Sequence, residues 1–116
     1  MDISVRDMEG RRVAHVHQER IDAAVATEFR EAARHALLGG PPVAILDLGE
    51  VEFMDSSGLG AVIGLRKLLA PGIAVELAAL RPRVAKVFAL TRMDLLFAIH
   101  PDIESALLRT GTDHAA

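Results

Sequence analysis

Cysteine, tryptophan and tyrosine are all missing from the 116 residues, and only four phenylalanines are present. The lack of cysteine excludes disulfide bonds, thiol catalysis and thiolate metal sites. The scarcity of aromatic rings removes the stacking platforms by which many proteins hold single-stranded nucleic acids. The core of this protein must therefore be built from aliphatic side chains.

A surplus of positive charge is also absent, because 13 basic residues face 16 acidic ones and the formal net charge is −3. Proteins that mainly neutralise phosphate backbones carry a basic surplus, so general nucleic-acid binding is disfavoured. The longest run without a titratable side chain, residues 36–46, holds two glycines and two prolines and cannot cross a membrane as a helix. The N-terminus lacks the basic start and apolar block of a secretory signal. We expect a cytoplasmic protein that binds neither nucleic acid nor membrane.

Aliphatic residues are abundant, since 51% of the chain is hydrophobic and only 25% is charged. A chain of this length and composition is typical of one ordinary domain with a packed core. We predict a single domain over residues 1–110, followed by a short flexible tail over residues 111–116.

The hydrophobic pattern alternates between strands and helices along the chain. An antiparallel hairpin is predicted from two apolar runs on either side of a turn at residues 8–11. Further strands are predicted at residues 43–46, 73–77 and 95–99. Helices are predicted from Asp22, as a cap, to the glycine pair 39–40, and then over residues 55–69, 82–90 and 101–108. In the second helix, Val62, Leu65 and Leu69 form a stripe that we expect to pack against the sheet.

This order of elements predicts an α/β fold. Helical crossovers between strands favour a mostly parallel sheet of four to five strands, and the hairpin adds an antiparallel edge at the N-terminus. About four helices flank the sheet.

The most informative segment is residues 53–60, Phe-Met-Asp-Ser-Ser-Gly-Leu-Gly, where a strand turns into a helix. Unpaired amides at a helix N-terminus favour an anion, so a phosphate suits this turn. In the purely structural interpretation, Ser57 or Asp55 is simply the helix cap. A cap needs one hydroxyl, however, and a second serine left exposed is a plausible kinase substrate.

The run FMDSSGLGAVIGLRK, preceded by VAILDLGEVE, resembles the signature of STAS domains, a family named for sulfate transporters and anti-sigma factor antagonists. The resemblance extends from the hairpin to the helix that includes Val84, Val87 and Phe88. Free-standing bacterial anti-sigma factor antagonists are the most similar members, because they share the Met-Asp-Ser-(Ser/Thr)-Gly-Leu-Gly run.

The resemblance implies a phosphorylation-controlled partner switch. The unmodified antagonist binds an anti-sigma factor that is also a serine kinase of the histidine-kinase-like ATPase type, and this frees the sigma factor. Phosphorylation of the serine after the aspartate, here Ser56, abolishes binding, and a metal-dependent serine phosphatase restores it. ATP and metal belong to those partners, so we expect a monomer that is a substrate, is not an enzyme and has no cofactor of its own.

The same resemblance implies a partner-binding surface made of Asp22, Asp55, Ser56, Ser57, Gly58 and Leu59. The sequence departs from the family pattern at Glu19, where a glycine is common, and at residues 91–93, which lack the glycine that would end the helix. Other roles of the fold stay open: a non-switching adaptor in a transport complex, a scaffold in a signalling assembly, or a domain of an anion transporter.

Two catalytic or cofactor motifs do not fit this chain. A nucleophile elbow needs glycines two positions before and after the serine, but Met54 precedes Ser56 and Leu59 follows Ser57. A dinucleotide-binding fingerprint needs a third glycine where this sequence has Ile63.

His15 and His17 alternate on one face of a predicted strand. Two such ligands without nearby carboxylate support are more typical of solvent-facing residues on an edge strand than of a metal site. We therefore expect no metal site.

Overall fold

The computed structural model describes residues 1–109, and the tail predicted at residues 111–116 lies outside them. In chain order the elements are β1 (Ile3–Met8), β2 (Arg11–Val16), β3 (Arg20–Ile21), α1 (Ala26–Leu37), β4 (Val43–Asp47), β5 (Phe53–Met54), α2 (Ser56–Leu69), β6 (Ala74–Ala78), α3 (Pro82–Leu90), β7 (Ile99–His100) and α4 (Ile103–Arg109). A single 3-10 turn, Met93–Leu95, lies between α3 and β7. No helix within this part of the chain is long and apolar enough to cross a membrane.

Five strands form the main sheet in the order β1-β2-β4-β6-β7. Strands β1 and β2 are antiparallel, and every other neighbouring pair is parallel. The hairpin turn contains Glu9 and Gly10, both with positive φ, which matches the twist of tightly joined antiparallel strands. The predicted α/β architecture with an antiparallel N-terminal edge and four helices is confirmed.

The sheet has a core on each face. Along β4, Ala44 and Leu46 face the larger core, whereas Ile45 faces the smaller one. Helices α1, α2 and α3 cover the larger core and α4 covers the smaller one. The predicted stripe Val62, Leu65 and Leu69 is buried in the larger core.

Two predictions near the C-terminus were wrong in their boundaries. The strand expected from residue 95 begins only at Ile99, because the 3-10 turn occupies residues 93–95 and leaves Leu95 78% exposed. The helix expected from Pro101 begins at Ile103. Its first turn is capped by Asp102 Oδ1, which accepts a hydrogen bond of 2.7 Å from the Ser105 amide.

The predicted cap of α1 also differs. The helix begins at Ala26, after a separate turn in which Asp22 Oδ1 accepts a hydrogen bond of 3.1 Å from the Ala24 amide. Asp22 therefore stabilises the turn that precedes the helix and is not the residue at its N-cap.

Candidate functional site

The turn that carries the two serines is held by a second, two-stranded sheet. Strands β3 and β5 pair in parallel, with Ile21 opposite Met54. Because parallel pairing keeps equivalent positions side by side, Asp22 and Asp55 leave the two strands next to each other. Two acidic residues 33 positions apart in sequence thus meet at one end of this small sheet.

The main chain of Glu19 starts this pairing. Its carbonyl oxygen accepts hydrogen bonds from the amides of Glu52, at 2.7 Å, and Phe53, at 3.1 Å. Glu19 does not adopt a positive φ, so this position has no need of the glycine that is common in similar sequences. The guanidinium of Arg20 lies over the ring of Phe53, with 4.2 Å between Cζ and the ring centroid.

Asp55 is the cap of α2. Its Oδ1 accepts a hydrogen bond of 3.0 Å from the Gly58 amide, and its Oδ2 accepts one of 3.3 Å from the Ala23 amide. One carboxylate therefore ties the start of α2 to the turn before α1. Of the two caps that the sequence allowed, the structure assigns the role to Asp55 and not to Ser57.

Because Asp55 is the cap, both serine hydroxyls remain available. Ser56 and Ser57 are the first two residues of α2, and both are exposed. Neither hydroxyl has a hydrogen-bond partner among residues 1–109. The amides of the first helical turn have no intrahelical acceptor, so the positive end of the helix lies at these side chains.

Gly58 permits the close packing of α2 on β3. A Cβ atom at this position would lie 2.1 Å from the carbonyl oxygen of Ile21 and 2.8 Å from Cγ of Met54. Leu59, the next residue, is only 8% exposed and belongs to the larger core. We expected these two residues in the partner-binding surface. Both are buried, and they anchor the start of α2 on the strands and the larger core.

Asp22 lies partly exposed beside this turn. Its Oδ2 is 3.4 Å from Nε of Arg20, an exposed side chain that offsets only part of the negative charge. The structure therefore brings two carboxylates, Asp22 and Asp55, to the helix start that carries the exposed hydroxyls of Ser56 and Ser57.

A family model described as the STAS domain matches residues 5–106 of this chain. The chain belongs to the STAS domain family. The match covers every strand and helix described above except the first two residues of β1 and the end of α4.

Solved structures with this fold include several anti-sigma factor antagonists. One from Mycobacterium paratuberculosis is 27% identical, with a TM-score of 0.81 over 92% of this chain and 91% of that one. A STAS domain protein from Planctomyces limnophilus, also an anti-sigma factor antagonist, is 21% identical, with a TM-score of 0.80 over 91% of this chain and 94% of that one. The antagonist SpoIIAA in its unphosphorylated form is 24% identical, with a TM-score of 0.69 over 93% of this chain and 95% of that one. The last two share the fold at an identity too low to indicate more.

A basic groove adjoins the serine turn of this STAS domain. Helices α1 and α2 line an open depression with Arg30, Arg34 and Lys67 and with one acidic residue, Glu31. Arg30 also lines a smaller hollow next to Ser57. The Nε atom of Arg30 makes no hydrogen bond within the described chain but lies 3.5 Å from Oε2 of Glu31, whose Oε1 is 3.1 Å from Nη2 of Arg34. Glu31 therefore offsets part of the positive charge of this groove.

A second polar cluster lies at the C-terminal ends of β2 and β4 in the main sheet. His15 is opposite Asp47 in the parallel pairing, and its Nδ1 is 3.0 Å from Asp47 Oδ2. Glu50 Oε2 is 2.8 Å from His17 Nδ1 and 3.1 Å from His15 Nε2. The hydrogen bond with His17 is the main cause that lowers the pKa of Glu50, and the contact with His15 adds to it.

This cluster corrects the interpretation of the two histidines. Strand β2 is not an edge strand, because it lies between β1 and β4. Carboxylate support is also present, from Asp47 and Glu50. The sequence did contain a signal for this carboxylate support. Residues 47–50 directly follow a buried strand that was predicted to be parallel to its neighbours, and side chains at such positions lie together at the C-terminal ends of the strands.

Proposed function

We propose that this STAS domain is an anti-sigma factor antagonist in a phosphorylation-controlled partner switch. In its unmodified form it binds an anti-sigma factor serine kinase of the histidine-kinase-like ATPase type and so releases the sigma factor. Phosphorylation of Ser56 abolishes binding, and a metal-dependent serine phosphatase restores it. The cycle consumes ATP, and we place it in the cytoplasm with the domain acting as a monomeric substrate.

The observation that carries this proposal is the exposed hydroxyl of Ser56 on the first turn of α2. It has no partner within the described chain, so a kinase can reach it without unfolding the helix. The capping role, which would have occupied a hydroxyl, is filled by Asp55.

The charges around the turn support the direction of the switch. A phosphate adds about 1.5 to 2 negative charges beside Asp55 and Asp22. The helix N-terminus returns only about 0.3 to 1 kcal/mol for an exposed anion, whereas an unpaired charge buried against a partner costs several kcal/mol. Each loss of about 1.4 kcal/mol weakens binding about tenfold. Phosphorylation is therefore expected to release the partner and not to strengthen the complex.

The first test compares Ser56→Ala and Ser56→Asp in binding to candidate kinases of this class without ATP, measured by isothermal titration calorimetry. We expect Ser56→Ala to bind like the wild type and Ser56→Asp to bind at least about tenfold more weakly. Because the hydroxyl makes no hydrogen bond within residues 1–109, both variants should melt near the wild-type temperature, which separates lost binding from lost fold. Equal affinity of the two variants contradicts the switch.

The second test assigns the modified residue. The domain is incubated with the same kinases and ATP, and the phosphate is mapped by mass spectrometry in the wild type, Ser56→Ala and Ser57→Ala. We expect modification of the wild type and of Ser57→Ala but not of Ser56→Ala. Ser57 is also exposed and is the neighbouring hydroxyl, so it serves as a matched control. A domain that binds its partners but accepts no phosphate at Ser56 is instead a non-switching adaptor or scaffold.

A further inference from the structure

His15, His17 and Glu50 each present one metal-ligating atom, and these three atoms lie within 4.8 Å of one another. The two histidines are two residues apart at the end of β2, so their side chains lie on the same face. Their rings stack with 4.7 Å between centroids. Glu50 comes from the turn after β4, the parallel neighbour of β2.

The two histidine nitrogens both lie close to one oxygen of Glu50. His15 Nε2 and His17 Nδ1 lie 3.1 and 2.8 Å from the same oxygen, Glu50 Oε2. The ligand atoms of a tetrahedral zinc ion, with bonds of about 2.0 to 2.2 Å, are about 3.3 Å apart. The side chains are partly exposed, so small rotations suffice to admit an ion between them.

One of the two remaining ring nitrogens has the carboxylate partner that metal-bound histidines usually have, and the other faces a hydroxyl. His15 Nδ1 faces Asp47 Oδ2 at 3.0 Å, and His17 Nε2 faces the hydroxyl of Ser4 at 2.8 Å. Asp47 is itself held in place, since its Oδ1 accepts a hydrogen bond of 2.9 Å from the Gly49 amide. A carboxylate behind a histidine orients the ring and raises its basicity as a ligand. A metal that binds the inner nitrogens displaces the protons through which they hydrogen-bond Glu50 and releases them to solvent, while the outer nitrogens keep theirs.

We propose that His15 Nε2, His17 Nδ1 and Glu50 Oε2 bind a divalent transition metal of the zinc class, with a fourth position open to water. Two imidazoles and one carboxylate suit zinc, whereas magnesium and calcium prefer oxygen ligands alone. Two carboxylates in the cluster, Glu50 and Asp47, balance the charge of the ion. The site is separate from the serine turn, and the proposal does not depend on the partner switch.

The test is titration of the full chain with zinc chloride by isothermal titration calorimetry. We expect one ion per chain in the wild type and a loss of affinity of at least about tenfold in Glu50→Gln and in His17→Ala. Glu50→Gln keeps the size of the side chain and an acceptor oxygen, so a loss of fold does not explain its effect. His35→Ala, which removes an exposed histidine on α1, is the matched control and should bind like the wild type.

Substitution with cobalt(II) gives an independent readout. Tetrahedral coordination produces strong visible absorption bands, which we expect in the wild type and His35→Ala and not in the ligand variants. A wild-type chain that binds no zinc overturns the proposal. So does a chain whose affinity for zinc is the same in Glu50→Gln and His17→Ala as in the wild type, because the ion is then bound elsewhere.

Discussion

At the scale of single residues, Gly58 and Gly60 have opposite surroundings although they lie in the same helix. Gly58 packs directly on the main chain of β3, whereas a Cβ atom at Gly60 would meet no other atom within 4 Å. Close packing of α2 on β3 therefore requires glycine at position 58. It does not require glycine at position 60.

This contrast predicts opposite effects of two alanine substitutions. Gly58→Ala forces the helix away from Ile21 and should lower the free energy of unfolding by about 3 kcal/mol. Gly60→Ala should raise it by about 0.5 to 1 kcal/mol, because alanine restricts the unfolded chain and favours the helix. Urea denaturation followed by far-UV circular dichroism measures both. Equal stabilities would mean that α2 does not pack closely on β3.

Arg92 replaces the missing glycine after α3. It adopts a left-handed conformation with φ of 62°, at a cost of about 1 to 2 kcal/mol relative to a right-handed one. Thr91 supports the end of the helix, since its hydroxyl donates a hydrogen bond of 2.6 Å to the carbonyl oxygen of Val87. At residues 91–93 the sequence thus departs from the family pattern in the residue that follows the helix. The left-handed backbone conformation that a glycine would adopt there is kept by Arg92.

At the scale of elements, one ion pair links the hairpin to α1. Asp7 and Arg12 are opposite each other on β1 and β2, and both carboxylate oxygens accept hydrogen bonds from the guanidinium, at 2.8 and 3.1 Å. The same guanidinium donates a hydrogen bond of 3.1 Å to the carbonyl oxygen of Ala36, near the end of α1. The hydrogen bond with Arg12 lowers the pKa of Asp7 below its usual value of 3.8.

The lowered pKa predicts how this link depends on pH. A carboxyl group whose pKa is lower in the folded state stabilises the fold above its unfolded pKa, and this contribution is lost as pH falls through the folded pKa. Wild type should therefore be more stable than Asp7→Asn at about pH 7, and the difference should shrink toward about pH 2. Denaturation midpoints of both proteins over this range test it. A difference that stays constant, or grows in acid, argues against the ion pair.

At the scale of the whole molecule, stability depends on aliphatic side chains packed on both faces of one sheet. Leu65 on α2 is fully buried in the larger core, whereas Leu95 in the 3-10 turn is 78% exposed. The two leucines share the same chemistry and differ only in what the fold places around them.

Truncation of each leucine should show this difference. Leu65→Ala leaves a cavity and should lower the free energy of unfolding by about 2 to 5 kcal/mol. Leu95→Ala should change it by less than about 0.5 kcal/mol. Thermal and urea unfolding of both variants provide the measurement. A large effect at Leu95 would favour the buried strand that the sequence pattern predicted there.

The local sequence was sufficient for elements whose signals lie within a few residues. The hairpin turn at Glu9 and Gly10, the start of α3 at Pro82 and the strand over residues 43–46 depend on backbone preference and short apolar runs. The strand expected at residues 95–99 was wrong in its boundaries, because residues 93–95 form a 3-10 turn and the strand is Ile99–His100. Its position is set by the pairing with Leu77 and Ala78 of β6, which the local apolar run does not specify.

Local sequence patterns were enough to predict the α/β class and the presence of two serines at a helix start. Both are encoded by patterns in which each residue acts on its near neighbours. Tertiary contacts alone placed Asp22 beside Asp55, joined the second oxygen of Asp55 to the Ala23 amide, and brought Glu50 to His15. Those contacts join positions about 30 or more residues apart, and they depend on the register of parallel strands, which no local pattern specifies.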